Sequence, residues 1–268
     1  MSVAVSVEVS EGLVLAADST MSVQGTMQTP RGEVAGLIKT YGNASKLFRI
    51  RDYPVGVLAW GVGLVGYSNT ASLVRQYQVN LPRDVDARGS YSVRAIAESM
   101  IDHVKAHYEV AFGDHPAQAQ PGLGMMICGY SPGEVWPEQW SFQLPSDTEP
   151  HRVRPPIDGR PDFGVNWYGL TDAIVRFHLG RDDRAVDILA REFGVTHERI
   201  ETLLSPLRYE MFFEGMPIQE AIAYAVYLVN LAIGRFRFVV GAPLCGGDVD
   251  VAIITCDGFE WVSDTGGG

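Results

Sequence analysis

The chain is poor in the residues that stabilise secreted, metal-bound or nucleic-acid-bound proteins. Its 268 residues include three cysteines, Cys128, Cys245 and Cys256, with no paired spacing and no CxxC. That count points away from a disulfide framework and from a thiolate metal site, toward reduced, buried thiols. Positive charge is also scarce. Lys and Arg number 21 against 32 Asp and Glu, a net charge of −11. Nucleic acid and anionic membrane surfaces need clustered Lys and Arg, so neither is expected as a partner. No unbroken apolar run approaches the roughly 18 residues of a membrane helix. The first residues lack the basic region and apolar core of a signal peptide, so the expected localisation is cytoplasmic. No H-E-x-x-H accompanies His103 and His107. Their i, i+4 spacing can bind zinc, but they fall outside the apolar stripe of their helix and read as a solvated face. No metal and no cofactor are expected. Gly61-x-Gly63-x-x-Gly66 matches a dinucleotide-loop pattern but reads better as a strand end, because no acidic residue follows in a βαβ context.

What is present is a mixed pattern. Hydrophobic residues make up 46%, enough for a sizeable core in one α/β-type domain spanning 1–268. Val3, Val5, Val7 and Val9 alternate with smaller or polar residues from the second position onward. This is a strand with one buried face. Gly12 to Thr20 reads as a second strand after a turn at Ser10-Glu11-Gly12, and it carries Asp18 at its edge. Ser45 to Ile50 is a short strand introduced by Lys46. Val55 to Gly63 is an apolar run ending in glycines. Met21 to Ala44 reads as an extended loop.

Helical periodicity follows. Thr70 to about Val79 is a first helix, broken by Pro82-Arg83-Asp84. Ser92 caps a second, whose Val93, Ile96, Ala97, Met100, Ile101, Val104 and Tyr108 form one stripe. Gly122 to about Leu144 reads as a hairpin around Ser131-Pro132-Gly133. Thr171 to Leu179 starts another helix, Arg181 to Arg184 is a charged turn, and Thr196 caps a further amphipathic helix. The last helix begins at Pro217 and is nearly continuously apolar. Residues 180–215 stand out as a helical insertion. Gly266-Gly267-Gly268 reads as a flexible tail.

The chemistry lies at the start. Removal of Met1 is expected to give Ser2 a free α-amine beside its own hydroxyl. Such an amine has a pKa of roughly 7.7–8.0, suited to a general base near neutrality. A hydroxyl activated in this way is a recognised nucleophile. An acid, a lysine and a Gly-rich strand end complete the parts of an amine-based acyl-transfer site.

In these features the chain resembles the proteasome β-subunit family of N-terminal nucleophile hydrolases. The family has its nucleophile at the mature first residue, a D-G-x-x-x-A-x-D type second strand, a K-[ILV]-x-x-I strand and a Gly-containing strand end. Ser2, Asp18, Lys46 and Gly61 fall on these positions. Gly124 to Tyr130 resembles the central core strand. Gly246-Gly247-Asp248-Val249-Asp250-Val251-Ala252-Ile253-Ile254-Thr255 is similar to the family's G-G-x-x-D-V-x-x-I-T strand. The resemblance implies an α+β fold, a four-layer αββα sandwich of two antiparallel sheets between helix layers. It implies a peptidase working in a self-compartmentalising homo-oligomer, a ring or stacked assembly, on peptides or unfolded proteins. An ATPase unfoldase is a partner by analogy.

The same resemblance places Thr20, Ala44, Phe48 and Leu58 near the pocket for the residue before the cut. It places Cys245 and Gly246 in the shell around the amine, where the family has Ser-Gly in D-x-x-S-G-G. Ala242 stands for that motif's Asp. Either Thr171 or Asp172 takes the place of the Ser in the family's G-S-G loop. The helical insertion is similar to that of the bacterial proteasome-related (Anbu-type) lineage. Two alternatives accompany the peptidase: a non-catalytic structural member retaining Met1, and an amidase or transpeptidase using the same acyl-enzyme.

Overall fold

In the computed structural model, residues 2–30, 32–81 and 91–262 are described. Met1, the Pro82-Arg83-Asp84 break and the Gly266–Gly268 tail lie outside them. The fold is mixed α+β with antiparallel sheets. β1 (Val3–Val9) and β2 (Gly12–Asp18) form a tight hairpin with Ala4 opposite Ala17 and Val9 opposite Gly12. β12 (Gly164–Gly169) pairs with the other edge of β1, and β13 (Val249–Thr255) with the other edge of β2. β14 (Gly258–Trp261) completes a five-stranded sheet of order β12-β1-β2-β13-β14. A second five-stranded sheet contains β5 (Leu47–Arg49), β6 (Val55–Gly61), β9 (Leu123–Gly129), β10 (Glu138–Leu144) and β11 (His151–Val153). Its order is β11-β10-β9-β6-β5.

Side-chain alternation explains how the sheets are covered. Val3, Val5, Val7 and Val9 pack against α6 (Ile218–Phe238), whose Ala221, Ala225, Leu228, Val229 and Ala232 face them. The intervening residue Ala4 joins Leu13, Leu15, Leu58, Met126 and Ile254 in a layer contributed by both sheets. The other face of the second sheet, with Val57, Met125 and Ile127, carries α1 (Thr70–Val79) and α2 (Val93–Phe112). Ser92 caps α2 by accepting from Ala95 N–H, as its sequence position predicts.

The layer shared by the sheets is polar at one end. Ser6 Oγ donates to Gln139 Oε1 at 2.7 Å, and Gln139 Nε2 donates to Glu8 Oε2 at 2.6 Å. Asn166 and Arg154 extend the chain of bonds to Asp162. Burial pushes the Glu8 carboxyl up to about 7, against the opposing pull of the Gln139 hydrogen bond and Arg154.

Several sequence expectations change. Residues 21–44 are not a loop. They fold largely as a two-stranded ribbon of β3 (Met21–Thr29) and β4 (Gly32–Tyr41). The two-residue strands β7 (Leu64–Val65) and β8 (Ser68–Asn69) follow β6 and absorb the glycine-patterned segment. Between β12 and α6 lie α3 (Asp172–Leu179), α4 (Asp183–Phe193) and α5 (His197–Leu204). The last two fall within the predicted insertion and bury only Val186 and Ile200 of their own residues. Asp182 caps α4 and pairs with Arg176 and Arg184, so the charged turn is a cap as well as a solvated face. α6 is long and apolar enough by composition to cross a membrane, which a search for unbroken apolar runs overlooks. Here one face of it packs on β1, β2 and β13.

Candidate active site

Ser2 is fixed from both sides as β1 begins. Its carbonyl accepts from Leu170 N–H at 2.8 Å. Gly169 lies against it with φ +84°, so close that a Cβ there would come within 2.0 Å of the Ser2 carbonyl oxygen. Only glycine fits that approach. On the other side, Val3 N–H donates to Asp18 Oδ1 at 2.9 Å.

Asp18 is the hub of the site. It is fully buried, and its Oδ1 also accepts from Lys46 Nζ at 2.5 Å. Oδ2 accepts from Gly246 N–H at 3.0 Å and from Thr20 N–H at 3.3 Å. Four donors converge on this one carboxyl group and satisfy both of its oxygens. Lys46 is 6% exposed. Burial pulls its amine below the usual lysine range, and the charge and hydrogen bond of Asp18 oppose that fall. Lys46 is placed by the link between β5 and β6, because its carbonyl accepts from Ala59 N–H at 2.8 Å. The Cys245 thiol is pushed up to about 12, first by burial and then by the charge of Asp18, so it stays protonated.

A cavity of about 180 Å³ opens over this pair. Ser2, Thr20, Ala44, Lys46 and Gly61 line it, five of the residues that the sequence singles out. Gly61 sits at φ +95°, and a Cβ there would be 2.2 Å from the carbonyl oxygen of Gly122. The strand end can therefore turn against β9 only as glycine. No protein-family model and no curated protein matches the chain.

Other expected site residues lie elsewhere. Leu58 is fully buried in the layer between the sheets, and Phe48 packs on the outer core of the second sheet. Neither lines the cavity. The pairing of Leu47 with Leu58 and of Phe48 with Val57 commits them to the two faces of the β5–β6 pair. Ala59 and Trp60 take their place as walls. Asp172 pairs with Arg235 at 2.7 Å, and together with Thr171 it lines a different cavity beside α4. What this turn gives to Ser2 is backbone, through Gly169 and Leu170. Cys245 and Gly246 do flank the Asp18–Lys46 pair, the latter through its N–H.

Sequence reasoning missed Trp60, Asn69 and Thr70 in the wall, and the stretch from Tyr41 to Asn43 at the end of the ribbon. The Trp60 ring is held by stacking on Tyr168 at 4.1 Å and by donating to Gln143 Oε1 at 2.8 Å. His103 is not on a solvated face. It is partly buried against Tyr77, with Nε2 3.2 Å from the Leu73 carbonyl. Among the described residues no cluster of three or more His, Cys, Asp or Glu could hold a metal ion.

Proposed function

We propose that this chain is an N-terminal nucleophile hydrolase of the proteasome β-subunit type, a bacterial proteasome-related peptidase that acts in the cytoplasm. The observation that carries the reading is one cavity lined by Ser2, Lys46 and Gly61 above a fully buried Asp18 that holds both Lys46 and the backbone next to Ser2. Two antiparallel sheets in contact, with helices on their outer faces, support an αββα sandwich.

In this reading, removal of Met1 frees the Ser2 α-amine. The Ser2 hydroxyl bonds to the peptide carbonyl carbon and gives its proton to that amine, directly or through a water. The carbonyl π electrons move onto oxygen, which a backbone N–H near Gly61 stabilises. The C–N bond then breaks, and the leaving amine takes the proton back from the ammonium. Water repeats the sequence on the ester and regenerates Ser2. Lys46 supplies positive charge beside the nucleophile, and Asp18 fixes its position. The wall is small and weakly polar at Thr20, Ala44 and Ala59, so an apolar side chain precedes the cut. Homo-oligomerisation encloses the site, and an ATPase unfoldase feeds it by analogy with the family.

The test is the intact mass of the purified protein before and after exposure to a peptide epoxyketone. That reagent needs both the hydroxyl and a free α-amine to form its ring adduct. The expected result is loss of Met1 and one adduct on Ser2. A mass retaining Met1 with no adduct overturns the proposal in favour of a structural role.

A further inference from the structure

The Trp60 indole is held at three points. It fills a slot that β9 leaves open at Gly124, its cross-strand partner, where a Cβ would lie 2.1 Å from Trp60 Cε2 and 2.2 Å from Nε1. One ring face stacks on Tyr168 at 4.1 Å, with 17° between the planes. Nε1 donates to Gln143 Oε1 at 2.8 Å. That acceptor is itself fixed. Gln143 N–H donates to Asp147 Oδ2 at 2.7 Å, and a Cβ on Gly122 would crowd Gln143 Nε2 at 2.8 Å.

The backbone beside this ring belongs to the site. A Cβ on Gly169, the residue packed on the Ser2 carbonyl, would stand 3.6 Å from Trp60 Cβ. Gly61, which follows Trp60, lines the cavity over Ser2. Ala59 N–H donates to the Lys46 carbonyl at 2.8 Å. Two residues further along an extended strand, the Gly61 N–H faces the same edge. The β5–β6 pairing runs from Gly56 to Leu58 and stops short of Gly61. The Gly61 amide therefore turns toward the Lys46 side of the cavity, and its peptide plane is shared with Trp60.

We infer that Trp60 is a positioning residue for the reaction at Ser2: its indole, clamped by Tyr168, Gly124 and Gln143, fixes the peptide plane whose N–H at Gly61 stabilises the oxyanion. The inference rests on the hydrolase reading and names what orients its oxyanion donor. A misplaced donor costs rate more than binding, because the charge that it meets develops in the transition state.

The experiment leaves Trp60 in place and removes its supports. Neither Gln143 nor Tyr168 lines the cavity over Ser2, so their replacement deletes no ligand contact there. Gln143→Met keeps the length and loses the acceptor, whereas Gln143→Glu keeps an oxygen for Nε1. Tyr168→Leu loses the stack, whereas Tyr168→Phe keeps it. Modification by a peptide epoxyketone with Leu beside the ketone is followed by intact mass over a range of reagent concentrations. This separates the maximal rate from the half-saturating concentration. Hydrogen exchange of residues 57–63 is measured in parallel by mass spectrometry. Gln143→Met and Tyr168→Leu should lower the maximal rate roughly 10- to 100-fold, with half-saturation within about 2-fold of the parent, and should speed the exchange. Gln143→Glu and Tyr168→Phe should stay within about 3-fold of the parent rate. The Tyr168 pair covers the case in which Gln143→Met does not fold. Unchanged rates in Gln143→Met and Tyr168→Leu, or equal losses in Gln143→Glu and Tyr168→Phe, overturn the inference. If the parent protein takes no epoxyketone, the hydrolase reading falls and exchange decides the clamp. Faster exchange in Gln143→Met but not in Gln143→Glu then keeps Trp60 as the residue that holds Gly61, and unchanged exchange removes it.

Discussion

Replacement of Glu8 by Gln isolates the energy of a buried carboxyl group far along β1 from Ser2. Glu8 is 4% exposed and titrates at about 7 in the native protein, against 4.5 for an ordinary glutamate. Between those two values the native state binds the extra proton and the unfolded chain does not. Stability from this group is therefore complete below pH 4.5 and is lost as pH rises through about 7. A displacement from 4.5 to about 7, at about 1.4 kcal/mol per unit, corresponds to a loss of about 3 kcal/mol. Arg154 and Arg152 soften the loss, Asp162 deepens it, and Cys128 and Tyr130 are the other titratable groups facing the site. Gln keeps an oxygen to accept from Gln139 Nε2 and never ionises. Urea unfolding at pH 5 and pH 8.5 reads the difference. The two proteins should lie within about 1 kcal/mol of each other at pH 5, and the variant should be more stable by about 2–3 kcal/mol at pH 8.5. Parallel pH profiles for the two proteins would refute the reasoning.

His178 acts in the opposite direction. Burial, then the charges of Arg208 and Arg154, lower it to about 4 from 6.5, so its stabilisation is present above 6.5 and lost as pH falls toward 4. His178→Phe should flatten the acid side of a thermal-midpoint profile between pH 4 and 7. Lys46→Ala leaves Asp18 with three backbone donors and no counter-charge. It should lower stability by about 3 kcal/mol and slow epoxyketone modification of Ser2 at least ~100-fold, as followed by mass spectrometry. Retained peptidase activity in that variant would count against the proposed site. Gly61→Ala must move the carbonyl of Gly122 or leave φ +95°, and should destabilise by about 1–3 kcal/mol in thermal unfolding.

Much of the fold was legible because the strong periodicities are local. The valine alternation of β1, the stripe of α2 and the caps at Ser92 and Thr196 each depend on a few neighbouring residues. The ribbon of β3 and β4 was not legible. Its glycines, Gly25, Gly32 and Gly36, weaken strand propensity. The polar layer at Ser6, Glu8 and Gln139 escaped for a different reason. In a strand buried on both sides, a polar position can mark a hydrogen-bond network as easily as solvent. At the site, Ser2, Asp18 and Lys46 could be named because their chemistry is carried by side-chain type. The walls at Trp60 and Thr70 depend on contacts between distant segments. Phe48 and Leu58 were misplaced because one residue along a strand reverses the face.

The donors on Asp18 come from residues 3, 20, 46 and 246, and the farthest is 228 positions away in the chain. Timing follows from that separation. At synthesis rates of about 5–20 residues per second, residue 246 is added on the order of 10–50 s after Asp18. Until it arrives, the carboxylate lacks one of its amide partners, and β2 lacks β13 along its outer edge. The nascent chain therefore carries Ser2, Asp18 and Lys46 without the finished cradle until Gly246 is made. Assembly of the site is deferred until the segment that carries Gly246 and β13 has been made and has docked on β2.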